Sequence, residues 1–219
     1  ETYRELAATR AEALKIDTHL IALKKHCPIA ILADNRSLTG LEEFPIDDVS
    51  ERDSVPETFD PPDYNHILRW MYDTCYKANL EADIVYKEDI LAWDTADLVQ
   101  KHPLFLVPAL YSASDTLIDK LKAYVRTGGH LIAGFKSFFS DEEIKIYADA
   151  QPHHMTDLFG GTYDQFTHPV NVSVSLDTCS YKVSHWMELL RASDGDVWGS
   201  YDHPYWSRYA AVLHKKETS

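Results

Sequence analysis

No stretch of this sequence approaches the roughly 18 consecutive apolar residues that a bilayer-spanning helix needs, so a membrane is not an expected partner. Basic clusters are missing too. Nothing longer than Lys24-Lys25 or Lys215-Lys216 occurs, and 21 Lys and Arg against 35 Asp and Glu leave a net charge of −14. A surface of that sign repels phosphate backbones and argues against nucleic acid. Cysteine is scarce: Cys27, Cys75 and Cys179 are the 3 thiols, far apart and without a CxxC pair. An odd number of scattered thiols suits a reducing cytosol, and neither a disulfide framework nor a zinc site. Also absent are the G-x-S-x-G and G-x-C-x-G elbows of nucleophilic hydrolases, the dinucleotide G-x-G-x-x-G and the Walker loop. Local motifs therefore supply no catalytic residue, cofactor site or metal site.

An apolar fraction of 45% with 12% aromatics can bury a sizeable core. The pattern is clearest over residues 104–136. Leu104 to Val107 form a short apolar run closed by Pro108, as in a buried strand. Ser114 and Asp115 stand where a helix must start. Leu117, Ile118, Leu121 and Val125 then share one helical face. Gly128 and Gly129 offer the left-handed stop, and His130 to Phe135 form a second apolar run. Strand, helix and strand in this order predict a parallel βαβ unit with a right-handed crossover.

Around it, residues 2–25 carry helix formers without Gly or Pro, and Pro28 is expected to end that helix. Ile29 to Ala33 reads as a first buried strand, with Asp34, Asn35 and Ser37 at its carboxyl end. Residues 45–62, rich in proline and acid, are expected to form an exposed loop. Asp63 caps a helix whose Tyr64, Ile67, Leu68, Met71 and Cys75 share a face, Asn79 stops it, and Ala82 to Tyr86 form a second strand. This β-α-β-α-β order predicts an α/β fold with a doubly wound, mostly parallel sheet. Beyond Lys136 comes a polar loop over Ser137 to Asp149, then a short helix over His154 to Phe159. Alternating runs at Tyr163 to Thr167, Val170 to Val174, Lys182 to Leu190 and Arg208 to Leu213 predict a C-terminal β extension. The sequence opens at Glu1 inside a helical pattern with no initiator Met, as expected of a fragment from a longer protein.

Candidate chemistry is thin. Glu42-Glu43, Asp47-Asp48 and Asp141-Glu142-Glu143 are adjacent in sequence, whereas catalytic carboxylate pairs face each other across a pocket, so surface roles are expected. Among 11 histidines, His153-His154 are consecutive and His168, His185 and His203 scattered, without ligand spacing, so loop roles are expected. Cys75 is assigned to the core. Trp186, Trp198, Tyr201, Tyr205, Trp206 and Tyr209 crowd the last third, where core, subunit interface and ligand contact all remain open.

The segment VPALYSASDTLIDKLKAYVRTGGHLIAGFKS resembles the middle domain of glycoside hydrolase family 42 β-galactosidases. Pro28 to Leu32 with Ser37-Leu38-Thr39 and Phe44-Pro45-Ile46 is similar to that family's first strand and loop. Tyr64-Asn65, Arg69 to Tyr72, Tyr76, Asn79, Asp83 and Val85 resemble its next helix and strand. Phe159-Gly160-Gly161 and Ala210-Ala211-Val212 fit the flanks of its β extension. The resemblance implies a flavodoxin-like or class I glutamine amidotransferase-like fold that mediates homotrimer formation. It implies a connecting helix at 1–26 leaving an absent catalytic barrel, and a trimerisation domain at 27–219. It also implies a cytoplasmic β-galactosidase parent whose catalytic glutamates lie outside this chain, so that no catalytic, cofactor or metal residue is carried over. Two other readings stand beside it. One is an amidotransferase-like enzyme using Cys27 or Cys179 beside a histidine. The other is a carbohydrate-binding module using Trp198, Tyr205 or Trp206.

Overall fold

The computed structural model describes residues 2–21, 23–44 and 63–217. The acidic, proline-rich segment expected to be a loop lies outside the described residues, as do Asp47 and Asp48. Four strands make a parallel sheet: β1 (Ile29–Ala33), β2 (Ala82–Tyr86), β3 (Leu104–Val107) and β4 (His130–Ala133), in the order β2-β1-β3-β4. The chain leaves β1 toward one edge and returns past it to the other, so the winding reverses between β1 and β3.

Helices cover both faces. Alanine, leucine, valine and phenylalanine at Ala30, Leu32, Val85, Phe105 and Val107 point to one side. There α5 (Thr95–Lys101) and α6 (Asp115–Arg126) bring Leu98, Leu117, Ile118 and Leu121 onto them. The opposite side presents Ile29, Ile31, Leu104 and Leu106, and α3 (Tyr64–Lys77) covers it with Leu68, Met71 and Cys75. The register aligns Ile84, Ile31, Leu106 and Ile132 in one row across the four strands. α3 buries the centre of that row completely at Ile31, while Ile84 and Ile132 at its ends stay 44% and 54% exposed.

Local chemistry explains the element ends. Asp63 accepts from the His66 N–H at 2.8 Å while the His66 ring faces the Asp63 N–H, a reciprocal cap for α3. Asn79 adopts φ 56°, and the Leu80 N–H reaches back to the Cys75 carbonyl at 2.9 Å. Asp34 caps α2 (Asn35–Glu43) through the Ser37 N–H, a helix the sequence pattern does not announce. Its run NRSLTGLEE holds only two large apolar residues, so periodicity has little to register. Ser114 occupies the N-cap of α6 as expected, although its hydroxyl makes no cap bond. Gly128 ends α6 at φ +106°. A short α4 (Lys87–Ala92) links β2 to α5.

At the amino end, α1 (Thr2–Leu20) stops well before Pro28, and its described side chains are all exposed, including Leu6, Leu14 and Ile16. Without a packed face, nothing extends the helix to the proline that would break it.

The last third is antiparallel, as expected, but its strands fall differently. A four-residue helix α7 (Thr156–Phe159) precedes β5 (Gly161–Thr162), β6 (Phe166–Thr167), β7 (Ser173–Leu176) and β8 (Cys179–Lys182). Then come β9 (Met187–Glu188), β10 (Arg191–Ala192), β11 (Asp196–Asp202) and β12 (Ala210–His214). The main sheet runs β12-β11-β7-β8, with pairs β10-β5 and β6-β9 beside it. The expected strand over Lys182 to Leu190 is broken by the turn between β8 and β9, and β11 was hidden in the aromatic-rich segment. Val172, Met187, Leu189, Tyr201 and Tyr209 make this unit's own core.

Candidate functional site

In an open α/β sheet the crevice for chemistry lies outside the carboxyl ends of the strands, where the winding reverses. Here Asp34 directly follows β1, and its side chain is nearly fully buried. Asp34 Oδ2 accepts from the Ser37 N–H at 2.6 Å, and its Oδ1 lies 3.3 Å from Lys87 Nζ. The Asp34 N–H donates to the Tyr64 hydroxyl at 2.8 Å, and that hydroxyl donates to the Leu32 carbonyl. Lys87 also pairs with Glu142 at 2.8 Å, which accounts for one of the acidic run at 141–143. Asp141 Oδ1 accepts from the Glu143 and Lys145 N–H groups, and Glu42 and Glu43 are exposed at the end of α2. The expected surface or loop roles of these carboxylates hold.

The segments leaving β3 and β4 zip together over the crevice. Phe138 N–H donates to the Leu110 carbonyl at 2.7 Å, Ser140 N–H to Tyr111 at 2.8 Å, and Ala113 N–H to Ser140 at 2.9 Å. Ser137 Oγ accepts from the Leu110 N–H, and Ser37 Oγ from the Ser112 N–H, each at 3.0 Å. Ser37, Ser112, Ser137 and Ser140 are all buried. Each of these hydroxyls braces a neighbouring loop: Ser112 Oγ donates to the Asp141 carbonyl and Ser140 Oγ to the Tyr111 carbonyl.

Lys136 occupies the turn after β4, where a hydrolase of this architecture would place its nucleophile. Its backbone is left-handed, at φ 53°. Its N–H donates to Glu188 Oε1 at 2.5 Å, and its Nζ reaches the Phe44 carbonyl at 3.2 Å over the Trp186 ring, 4.4 Å from the centroid. Burial pushes the Lys136 ammonium down to about 8, against the opposing pull of Glu188. Burial likewise lifts the Glu188 carboxyl to about 7, opposed by the Lys136 N–H. Tyr163 and Trp186 approach the Glu188 carboxylate short of full hydrogen-bond geometry. The pair ties the parallel sheet to β9 of the extension. Sequence spacing gives no hint of it, because Lys136 and Glu188 are 52 residues apart.

The remaining candidates do not converge here. Cys75 is in the core, where burial raises its thiol. Cys27 sits at the amino end of β1, and His102 Nδ1 meets its carbonyl oxygen at 2.8 Å, away from the sulfur chemistry an elbow requires. Cys179 is exposed on β8. Trp186, Tyr201 and Tyr209 are buried, whereas Trp198 and Tyr205 are 55% and 53% exposed. Trp198 stacks on His214, and Tyr205 carries the Arg208 guanidinium on its ring. His203 Nδ1 faces the Tyr205 and Trp206 N–H groups, and His168 Nδ1 the His185 carbonyl. His153 and His154 do meet a carboxylate, Asp115, on α6. A cavity of about 390 Å³ opens at the opposite end of the sheet, among Tyr72, Tyr76, Asn79, Leu80 and Ala82.

The family model described as β-galactosidase trimerisation domain matches residues 29–218. The chain belongs to that family. Among curated relatives, BgaH, a β-galactosidase of Haloferax lucentense, is 24% identical over 202 residues, which is 91% of this chain and 26% of BgaH. LacZ, a β-galactosidase of Heyndrickxia coagulans, is 26% identical over 116 residues, 53% of this chain and 16% of LacZ. The trimerisation domain therefore spans about a quarter or less of these relatives. A β-galactosidase structure from Bacillus circulans sp. alkalophilus superposes with TM-score 0.75 at 18% identity, covering 96% of this chain and 30% of that one. A catalytic mutant of Gan42B, a GH42 β-galactosidase from G. stearothermophilus, gives 0.77 at 20% identity, with 96% and 28% covered. At such identities these two likenesses speak for the fold alone. Among the described residues no helix is long and apolar enough to cross a membrane.

Proposed function

We propose that this trimerisation domain is a non-catalytic part of a cytoplasmic β-galactosidase that hydrolyses terminal β-D-galactosides and assembles as a homotrimer. Residues 27–219 would form the assembling unit, and residues 1–26 the connection to a catalytic barrel carrying the two glutamates. The observation that carries this reading is the closed crevice: its serines are braces, and Lys136 stands at the nucleophile position with its ammonium already engaged. The strand order β2-β1-β3-β4 supports an amidotransferase-like ancestry without amidotransferase chemistry. The unpacked apolar residues of α1 and the exposed isoleucines at the two sheet edges are consistent with surfaces meant for other domains or other copies.

Sedimentation equilibrium of the 219-residue chain tests the assembly, with a self-association curve that fits monomer and trimer as the expected outcome. A strict monomer across the micromolar range would count against it. Pure protein should also leave a chromogenic galactoside intact, and measurable turnover would overturn the non-catalytic assignment.

A further inference from the structure

At the amino end of α6, a histidine is held between two carboxylates. His153 is almost fully buried, its backbone fixed by an N–H bond to the Phe138 carbonyl at 3.1 Å. Tyr147 stacks flat on its ring, 3.4 Å between centroids, and anchors itself by donating to the Ala113 carbonyl at 2.9 Å. His153 Nδ1 lies 2.6 Å from Asp149 Oδ1, and its Nε2 lies 3.0 Å from Asp115 Oδ1. His154 turns back at φ 51° and points its Nδ1 at that same Asp115 oxygen, 3.5 Å away.

A neutral imidazole has one N–H donor. If Nδ1 donates to Asp149, Nε2 turns a lone pair toward a carboxylate oxygen, which is repulsive unless a positive charge lies between them. That charge is either a proton or a metal ion. A proton on His153 leaves His154 to meet the same oxygen through its own Nδ1–H, at a long 3.5 Å. A tetrahedral ion accounts for both. With bonds near 2.0 to 2.2 Å, its ligand atoms stand about 3.3 Å apart, and the observed 3.0 and 3.5 Å bracket that spacing. All three ligand atoms lie within 4.8 Å of one another. Asp149 behind Nδ1 is the outer carboxylate that orients a ligating histidine and fixes its tautomer.

We propose that Asp115, His153 and His154 form a binding site for a zinc-like divalent cation, with Asp149 as the outer partner. Two imidazoles and one carboxylate suit zinc and exclude the all-oxygen preference of calcium and magnesium. Asp115 and His154 are 66% and 57% exposed in their side chains, so the fourth position faces solvent and takes water. The ion would pin the 147–154 loop to the start of α6.

The test is zinc chloride titration of untagged, chelator-treated protein by calorimetry, repeated with cobalt chloride for its visible spectrum. One equivalent per chain and the spectrum of four-coordinate cobalt are expected. Asp115→Asn and His154→Ala alter exposed side chains, so their folds should survive, which circular dichroism checks. Each should weaken zinc by at least about tenfold, and Asp149→Asn by about 10- to 100-fold. Zinc affinity unchanged in both exposed variants would overturn the proposal. So would a His153 ring that NMR shows doubly protonated at neutral pH and undisturbed by zinc.

Discussion

Replacing Gly129 by alanine would drive a methyl group into the ring of Tyr124. An added Cβ falls 2.2 Å from Cζ, 2.3 Å from Cε1 and 2.6 Å from Cε2, whereas carbon atoms in contact want about 3.5 to 4.0 Å. The ring must therefore move by more than an ångström. It has nowhere to go. Tyr124 is fully buried, packs edge-on to Phe105 at 4.8 Å, and donates its hydroxyl to the His102 carbonyl at 2.7 Å. Overpacking of this kind costs about 1–3 kcal/mol. Breaking the hydroxyl bond leaves buried polar atoms short of a partner and adds a comparable penalty. A loss of about 3–5 kcal/mol is expected, which for a chain of this size lowers Tm by about 6–20 °C. Gly128 is the control, since a Cβ there meets nothing within 4 Å and only φ +106° opposes it. Gly128→Ala should cost about 1–2 kcal/mol. Urea unfolding followed by the fluorescence of the 5 tryptophans measures both. The decisive arm is Gly129→Ala in a Tyr124→Leu background, where Cζ and both Cε atoms are gone and most of the cost should vanish. A Gly129→Ala variant within about 0.5 kcal/mol of the parent, or one that costs as much without the ring, would refute the clash.

Two further outcomes follow from the crevice. Glu188 holds its proton more tightly folded, at about 7 against an ordinary 4.5, so the stability it contributes is complete below 4.5 and lost as pH rises toward 7. Lys136 is shifted the other way, to about 8 from 10.5, so its contribution is complete above 10.5 and lost as pH falls through 8. Glu188→Gln should flatten the decline of the urea midpoint between pH 4.5 and 7, and an unchanged slope would refute the assignment. Tyr64→Phe removes the acceptor of the Asp34 N–H and should cost about 1–3 kcal/mol in the same assay, a neutral result showing that water replaces the hydroxyl.

Much of the sheet was legible because strands buried on both faces must be written in unbroken apolar residues. Ile29 to Ala33 and Leu104 to Val107 are such runs, and the α3 stripe from Tyr64 to Cys75 repeats at helical spacing. α2 escaped because its cap, Asp34, does more for it than any apolar face. The extension was legible in kind but not in detail. Strands of two residues, such as β9 and β10, are shorter than one period of alternation carries information, and turns between them have no Gly or Pro to mark them. The sites escaped for another reason. Lys136 and Glu188 meet only through the docking of two sheets. Asp115 reaches His153 across 38 residues of chain, although Asp149 and His153 stand at i, i+4 and are visible in the sequence once loops are allowed to hold ligands.

The row Ile84, Ile31, Leu106, Ile132 is finished in the middle and unfinished at both ends. Any body that seats itself on Ile84 or Ile132 recognises the assembled strands, since the unfolded chain has no such row to offer. Folding and seating are then one linked equilibrium. Stability becomes a function of dose, gaining about 1.4 kcal/mol for each tenfold rise of the seating partner above its dissociation constant. If the partner is another copy of this chain, the melting temperature itself should climb with protein concentration. A dilute sample would then understate how firmly the domain holds together where it is crowded against its own kind.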